Sequence, residues 1–499
     1  MSTLRILLIV QLFIVPLCHS QYKWVESSKH SVSNPYPVFD GMKYYFSQDG
    51  DINTLKFNRK VCLHQKFSGE KPDLKSSKEL NEIMVNDIIY SQQNTVSGDY
   101  LFYLNPSEDR KSFNTCVREL VFSAENPIGQ EKVIQSVDHP MPYGYSMKID
   151  KAAMAPTGAP TGYLTDYNIA SSDDDSKTLI NYRIVPSIKD DSKNKDIINV
   201  SIFDEKWDLL WSRDVEMPYT ENKMEVMEYQ VDNMGNAYFL IKYFPNTVRK
   251  IDEYIMQIIR IDEEQYTVSS IQPEDGGTKK KASFGYTDNQ NGTMLVSIFH
   301  TYGEEQRKLG LLLMEMGEDG NFDKQRLIEI PASILELAIE QERDEKDYNY
   351  ALFYKSSYAD KSGNLTIVGQ FMSINYPGYW NMHSNIVLQI NKNGELNWIK
   401  SLDMDREGVF TFNENNLQIL GLSNSQNDKV DRSYLTSYNI DLLNGDVTKT
   451  TFFKPTEVNG TPIYQFSFDR IKCVDEGVYV MEVYKKKKED LMIRLEIED

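Results

Sequence analysis

One recurring motif limits this chain to very few architectures. A polar turn containing Gly or Asn leads into an apolar, β-branched and aromatic strand of about seven residues, and the pair returns along the whole sequence. The clearest copies are Asp232-Asn233-Met234-Gly235-Asn236 before AYFLIKY and Asp360-Lys361-Ser362-Gly363-Asn364 before LTIVGQF. Gly292, Asn416 and Gly477 introduce TMLVSIF, LQILGL and VYVMEVY, and weaker copies start near Gly41, Gly98 and Asp175. Successive markers lie between 53 residues (Gly363 to Asn416) and 77 residues (Gly98 to Asp175) apart. Recurrence at that period signals a stacked multi-strand unit rather than a set of unrelated domains.

A hairpin follows the first strand in most units, often with Trp on its second arm, as in VSIFDEKWDLLWSRDV (residues 200–215) and IVLQINKNGELNWIKSL (residues 386–402). A further strand before each turn completes four antiparallel strands. The expectation is an all-β chain: a single β-propeller of eight, alternatively seven, four-stranded blades over residues 21–499. The last unit stops before its outer strand, and QYKWV at residues 21–25 looks like NWIK at 397–400. An N-terminal strand closing the last blade is therefore expected, leaving no free sheet edge. Residues 331–344, PASILELAIEQERD, pair Ser333 with Glu336 as a capping box and predict a short helical insertion. Residues 152–162, AAMAPTGAPTG, read as an exposed loop.

The segments VDNMGNAYFLIKYF and NKNGELNWIKSL, with ELAIEQE between them, resemble a broad group of uncharacterised secreted bacterial proteins with propeller-like repeats, most clearly over residues 195–405. That resemblance implies a fold and an exported location, and brings no catalytic residue with it.

Residues 1–20 read as a signal peptide: Arg5 is the basic start, and residues 6–17 form an apolar run broken only by Gln11. Cys18 is preceded by Val15-Pro16-Leu17, which lacks the small residues of a lipidation site, so cleavage after Ser20 is expected. The expected location is secreted or periplasmic. Beyond residue 20 only Cys62, Cys116 and Cys473 remain, an odd number that forbids a complete disulfide framework; Cys62 and Cys116 are either a pair or buried hydrophobes. With 54 basic against 74 acidic residues and a net charge of −20, the surface is wrong for sequence-independent nucleic-acid binding. No later apolar run is long enough to span a bilayer, and a monomer is expected.

The chemistry-bearing residues do not converge in sequence. His30, His64, His139, His300 and His383 are scattered without metal-ligand spacing, and no nucleophile elbow, dinucleotide fingerprint or P-loop occurs. The acidic groups Asp173–Asp175, Asp403 with Asp405, and residues 315–319 lack the EF-hand pattern and read as solvated turns. Lys279–Lys281 and Lys485–Lys488 read as hairpin turns. Sequons at Asn199, Asn291, Asn364 and Asn459 lie on or beside strands, and Trp207, Trp211 and Trp398 read as inter-blade packing rather than sugar platforms. No catalytic, cofactor-binding or metal residue is assigned, and no cofactor is expected. The function expected is binding of a protein, peptide or glycan by a non-enzymatic module. The alternative is a polysaccharide hydrolase or lyase with a carboxylate pair in the axial cleft.

Overall fold

The computed structural model describes residues 23–25, 29–58, 61–80, 88–107, 112–138, 167–184, 192–246, 254–271, 283–288, 294–302, 308–317, 319, 321–334, 349–375, 379–404, 406–424, 433–466 and 471–497. The putting-together begins at the turns. Asp232 Oδ1 accepts the backbone N–H of Met234 and of Asn236, Oδ2 accepts the Asn236 amide, and Gly235 takes the left-handed φ of +88° that the reversal needs. Asp360, Ser362, Gly363 and Asn364 repeat the arrangement, with Gly363 at +81°. The repeated DxxGN sequence is thus a repeated hydrogen-bonded turn.

Each turn launches the second strand of a sheet. Seven blades consist of four consecutive antiparallel strands: blade 1 from Met42 to Leu80, blade 2 from Ile88 to Val137, blade 3 from Tyr167 to Thr220, blade 4 from Met224 to Ile271, blade 5 from Ser283 to Glu329, blade 6 from Asn349 to Leu402 and blade 7 from Arg406 to Thr451. The remaining sheet is composite. It takes Ile471–Asp475, Val478–Lys485 and Glu489–Glu496 from one end of the chain and His30–Val32 from the other. The fold is the expected propeller, and seven, the alternative count, is the number of blades made from consecutive strands. The unit read as an eighth like blade is this closing sheet.

First strands of neighbouring sheets touch. Tyr167–Ser171 meets Met224–Val231, Ser283–Asp288 meets Asn349–Ala359, and Ile471–Asp475 meets both Arg406–Phe412 and Met42–Gln48. They form the inner ring, and the fourth strands form the rim. Burial follows position: Asp51–Phe57 and Ala237–Tyr243, second strands, are almost continuously buried, whereas the rim strand Leu74–Leu80 is mostly exposed. Neighbouring sheets pack face to face through apolar clusters such as Val200, Ile202, Phe239 and Ile259 between blades 3 and 4. Each such side chain contributes about 1.5–3 kcal/mol by leaving water.

At the rim, long side chains reach forward to the hairpin turn of the next blade. Lys132 donates to Lys206 O at 2.9 Å and to Asp208 at 2.6 Å, and Arg213 donates to Asp262 O at 3.2 Å. Arg326 lies against Gly394, and Trp398 against Gly445, where a methyl group would sit 2.7 Å from the indole. Trp211 donates to Gly235 O at 3.2 Å, and Trp207 is buried against Phe102 and Phe203 between blades 2 and 3. All three tryptophans therefore serve inter-blade packing.

The N-terminal closure differs in detail from the sequence expectation. Lys23–Val25 pairs parallel with Val447–Thr451 and adds a fifth strand to blade 7. The last sheet is completed instead by His30–Val32, antiparallel to Glu489–Glu496 with His30 opposite Leu495, and Tyr36–Pro37 continues along the same strand. The Trp-bearing fragment expected to close the last sheet lies on blade 7 instead, and the strand that does close it, HSV, is too short and too polar to carry a strand pattern of its own. Ala332–Ile334 begin a helical turn, and the rest of the expected helix, residues 335–344, lies outside the described residues, as do residues 1–20 and 152–162.

Candidate functional site

The period-two alternation of strands decides what meets at the joint between the closing sheet and blade 1. In Met42–Gln48, Tyr44 and Phe46 face blade 2, and in Val478–Lys485, Tyr479, Met481 and Val483 face blade 7. The opposite parity therefore meets at the seam. It carries Lys43 and Tyr45, Ile52 and Lys56, Val480 and Glu482, and Asp490 and Met492. Lys43 and Lys56 are direct cross-strand partners, two like charges side by side that require carboxylates opposite.

Glu482 supplies the first. Its Oε1 accepts from Lys56 Nζ and, at 2.6 Å, from the Tyr36 hydroxyl; its Oε2 accepts from Lys43 Nζ and, at 3.4 Å, from the Tyr45 hydroxyl. Asp490 is the second, taking Lys43 on Oδ2 at 3.0 Å. The Lys56 ammonium also sits 5.1 Å from the centre of the Tyr36 ring. Glu482 and Lys56 side chains are fully buried, and those of Asp490 and Lys43 are 1% and 8% exposed. Burial would raise the Glu482 carboxyl, but the two ammonium groups overcome it and hold it at about 2. Burial, and then the Glu482 charge, push Asp490 up. Burial lowers Lys56 against the pull of Glu482, and burial with the Glu482 charge raises Tyr36 well above the usual phenol range.

Beside this cluster the seam opens into a cavity of about 550 Å³. Its floor is Lys43 and Asp490, its walls include Phe39 and Tyr484, and Asp40, Gln465 and Lys488 stand at the exposed rim. Lys488 and Lys487 hold left-handed φ angles of +61° and +73° in the hairpin turn that brings Lys488 to the cavity. The loop from Val38 to Gly41 is held by Val38 N–H donating to Lys488 O at 3.1 Å.

A second feature lies on the inner ring. Glu228 is solvent-exposed on the first strand of blade 4, one residue after a bulge at Met227, yet surrounding protein raises its carboxyl to about 7. Desolvation by the protein crowding around the carboxyl is the cause, with no neighbouring carboxylate contributing. The inner strands also carry Tyr229, Tyr354, Ser356, Ser357 and Tyr358, together with the charged Glu225, Lys355 and Asp475.

The residues singled out from sequence are not gathered at either place, Lys485–Lys488 excepted. His30 hydrogen-bonds with Asn459, and His64 with Asn53, its ring held below the usual imidazole range by burial. His139 lies outside the described residues, as do Lys279–Lys281 and Asn291. Cys62 and Cys116 form no disulfide and are buried in one apolar cluster between blades 1 and 2, and Cys473 forms none either. Asp174 caps its own turn through Ser172 and Ser176, and Asp319 does so through Asn321. Asp403 is raised by burial, with Lys449 opposing. Among the described residues no group of three His, Cys, Asp or Glu side chains is placed to hold a metal ion, and no helix is long and apolar enough to cross a membrane. Asn199 is buried and donates to Asp214, Asn364 is tied to Asp360, and Asn459 stands exposed on a hairpin turn. Sequence reasoning missed the seam, although the parity of its four charged residues within apolar strands was a usable signal.

The chain matches no protein-family model, and no curated protein is significantly similar to it. Among solved structures it is similar to the polysaccharide lyase Uly1, with a TM-score of 0.41, 9% identity, and coverage of 97% of this chain and 95% of that one. It is also similar to the β-propeller domain of the trilobed protease from Pyrococcus furiosus, with a TM-score of 0.36, 11% identity, and coverage of 88% and 100%. A prolyl endopeptidase aligns with a TM-score of 0.40 and 10% identity over 92% of this chain, which spans only 55% of that one. These likenesses concern the propeller architecture alone.

Proposed function

We propose that this chain is an exported binding module, a non-enzymatic propeller that holds a protein, peptide or glycan, with the seam cavity as its candidate site. One observation carries the reading. The seam cavity of about 550 Å³ is lined by aromatic and hydrogen-bonding side chains from both ends of the chain, as a small-ligand site is. Export is supported by the signal-like residues 1–20.

Glu228 favours a second reading. A carboxyl near 7 is half protonated at neutral pH, as a general acid must be, and a polysaccharide-cleaving enzyme would place one there. The test is a glycan and peptide array with residues 21–499, run beside hydrolysis and lyase assays on the same glycans. Retention without turnover supports the binding module. Turnover that falls at least a hundredfold in Glu228→Gln replaces it with the enzyme.

A further inference from the structure

We propose that the cavity at the ring seam is a binding site for a neutral saccharide of one or two rings, a deepening that rests on the binding-module reading above. Its volume, about 550 Å³, lies within the ordinary range for small-ligand sites. Its charges cancel: Asp40 and Asp490 stand against Lys43 and Lys488, and Lys43 is already engaged by both Glu482 and Asp490. An anionic ligand would meet the Asp490 carboxylate on the floor, where the adjacent Lys43 is already committed to two carboxylates. A ligand with a strong positive charge would meet Lys43. A molecule rich in hydroxyl groups meets neither penalty, because each hydroxyl both donates and accepts.

The floor asks for such a donor. Asp490 is 1% exposed, gives Oδ2 to Lys43 and lines the cavity with its carboxylate. A buried carboxylate oxygen lining a cavity gains from a hydroxyl donor placed there. The Gln465 amide and Lys488 ammonium supply donors at the rim, and Gln465 and Asp40 supply acceptors. Phe39 and Tyr484 provide aromatic surface for the C–H faces of a pyranose ring. Because Phe39 and Asp40 precede blade 1 while Tyr484 and Asp490 belong to the closing sheet, a bound sugar would span the joint and bind only the closed ring.

The test is calorimetric titration of the purified chain with glucose, galactose, mannose, N-acetylglucosamine, maltose and cellobiose, with galacturonic acid, glucosamine and lysine as charged contrasts. Saturable binding of at least one neutral sugar is expected, weakened at least tenfold by Tyr484→Ala and by Asp40→Ala and unchanged by Met234→Ala, on an exposed turn of blade 4. Asp490→Asn belongs to a buried charge cluster and is used only if its circular dichroism and melting match the parent; the two rim and wall variants keep the test decisive otherwise. Absence of binding by all six neutral sugars overturns the saccharide assignment. So does preferential binding of galacturonic acid, glucosamine or lysine. Neutral-sugar binding that Tyr484→Ala and Asp40→Ala leave intact overturns the location while the binding module stands. Cleavage of either disaccharide removes the non-enzymatic reading itself.

Discussion

The joint between blades 3 and 4 and the seam between blade 1 and the closing sheet do the same mechanical task with different chemistry. The first buries thirteen apolar residues in one cluster. The second buries six, Tyr36, Tyr45, Ile52, Phe67, Val480 and Met492, around two ammonium groups and two carboxylates. Apolar surfaces stick without regard to partner, which suffices between blades that are neighbours in sequence. The seam joins residues more than 400 positions apart, such as Lys56 and Glu482. Its closure waits on a costly long-range encounter. A charge pattern penalises every mismatched pairing there, since an uncompensated buried charge is far less tolerable than a displaced methyl group.

The largest expected effects come from attacking each joint in its own idiom. Glu482→Gln leaves Lys43 and Lys56 buried without their shared anion and should cost about 3–5 kcal/mol in urea unfolding. Phe239→Ala, fully buried in the apolar joint, should cost a similar 3–5 kcal/mol. The two differ in repair. Replacing Lys43, Lys56, Glu482 and Asp490 together by Met, Met, Leu and Leu should restore stability to the parent level or raise it by about 1–4 kcal/mol. A quadruple variant as unstable as Glu482→Gln would show that the charges are the attraction itself rather than a device of specificity.

Acid should separate the joints next. The Glu482 carboxyl is held at about 2 against an ordinary 4.5. Its contribution is complete above about 4.5 and is lost as pH falls towards 2. Asp490, raised by burial and by Glu482, has the opposite sign and returns part of that loss. Urea midpoints at pH 5 and pH 3 should therefore fall more for the parent than for the quadruple apolar variant. Equal slopes for the two would place the acid sensitivity elsewhere.

The two joints also differ in how far the sequence revealed them. The repeated turns were legible because Asp232 and Asp360 sit four residues before an Asn that closes the same turn, and a local hydrogen-bond pattern leaves a local sequence pattern. The tryptophans were legible for the same reason: Trp211 and Trp398 each reach the turn of the adjacent blade. The seam was not. Lys43 and Lys56 look like exposed strand lysines until Glu482 and Asp490 are brought to them, and no periodicity within 60 residues announces a partner at the other end of the chain. The wrong closing strand has the same origin, since His30–Val32 is specified by Glu489–Glu496 opposite it rather than by its own residues.

That last point makes the smallest effect the sharpest. Gln21–Ser28 contains Lys23–Val25, a parallel fifth strand on the outer edge of blade 7, whose removal exposes a rim edge and leaves the seam contacts of the described residues in place. Deleting residues 21–28 should lower the melting temperature by only about 1 °C, corresponding to about 1 kcal/mol or less. Extending the deletion to residue 37 removes His30–Val32 and Tyr36, whose hydroxyl donates to Glu482, and should cost several times more. The step should therefore fall between residues 28 and 37, measured by thermal melts of the nested deletions. A large drop on removing residues 21–28 alone would move the latch to the parallel strand. The charged seam would then be a consequence of closure rather than its guide.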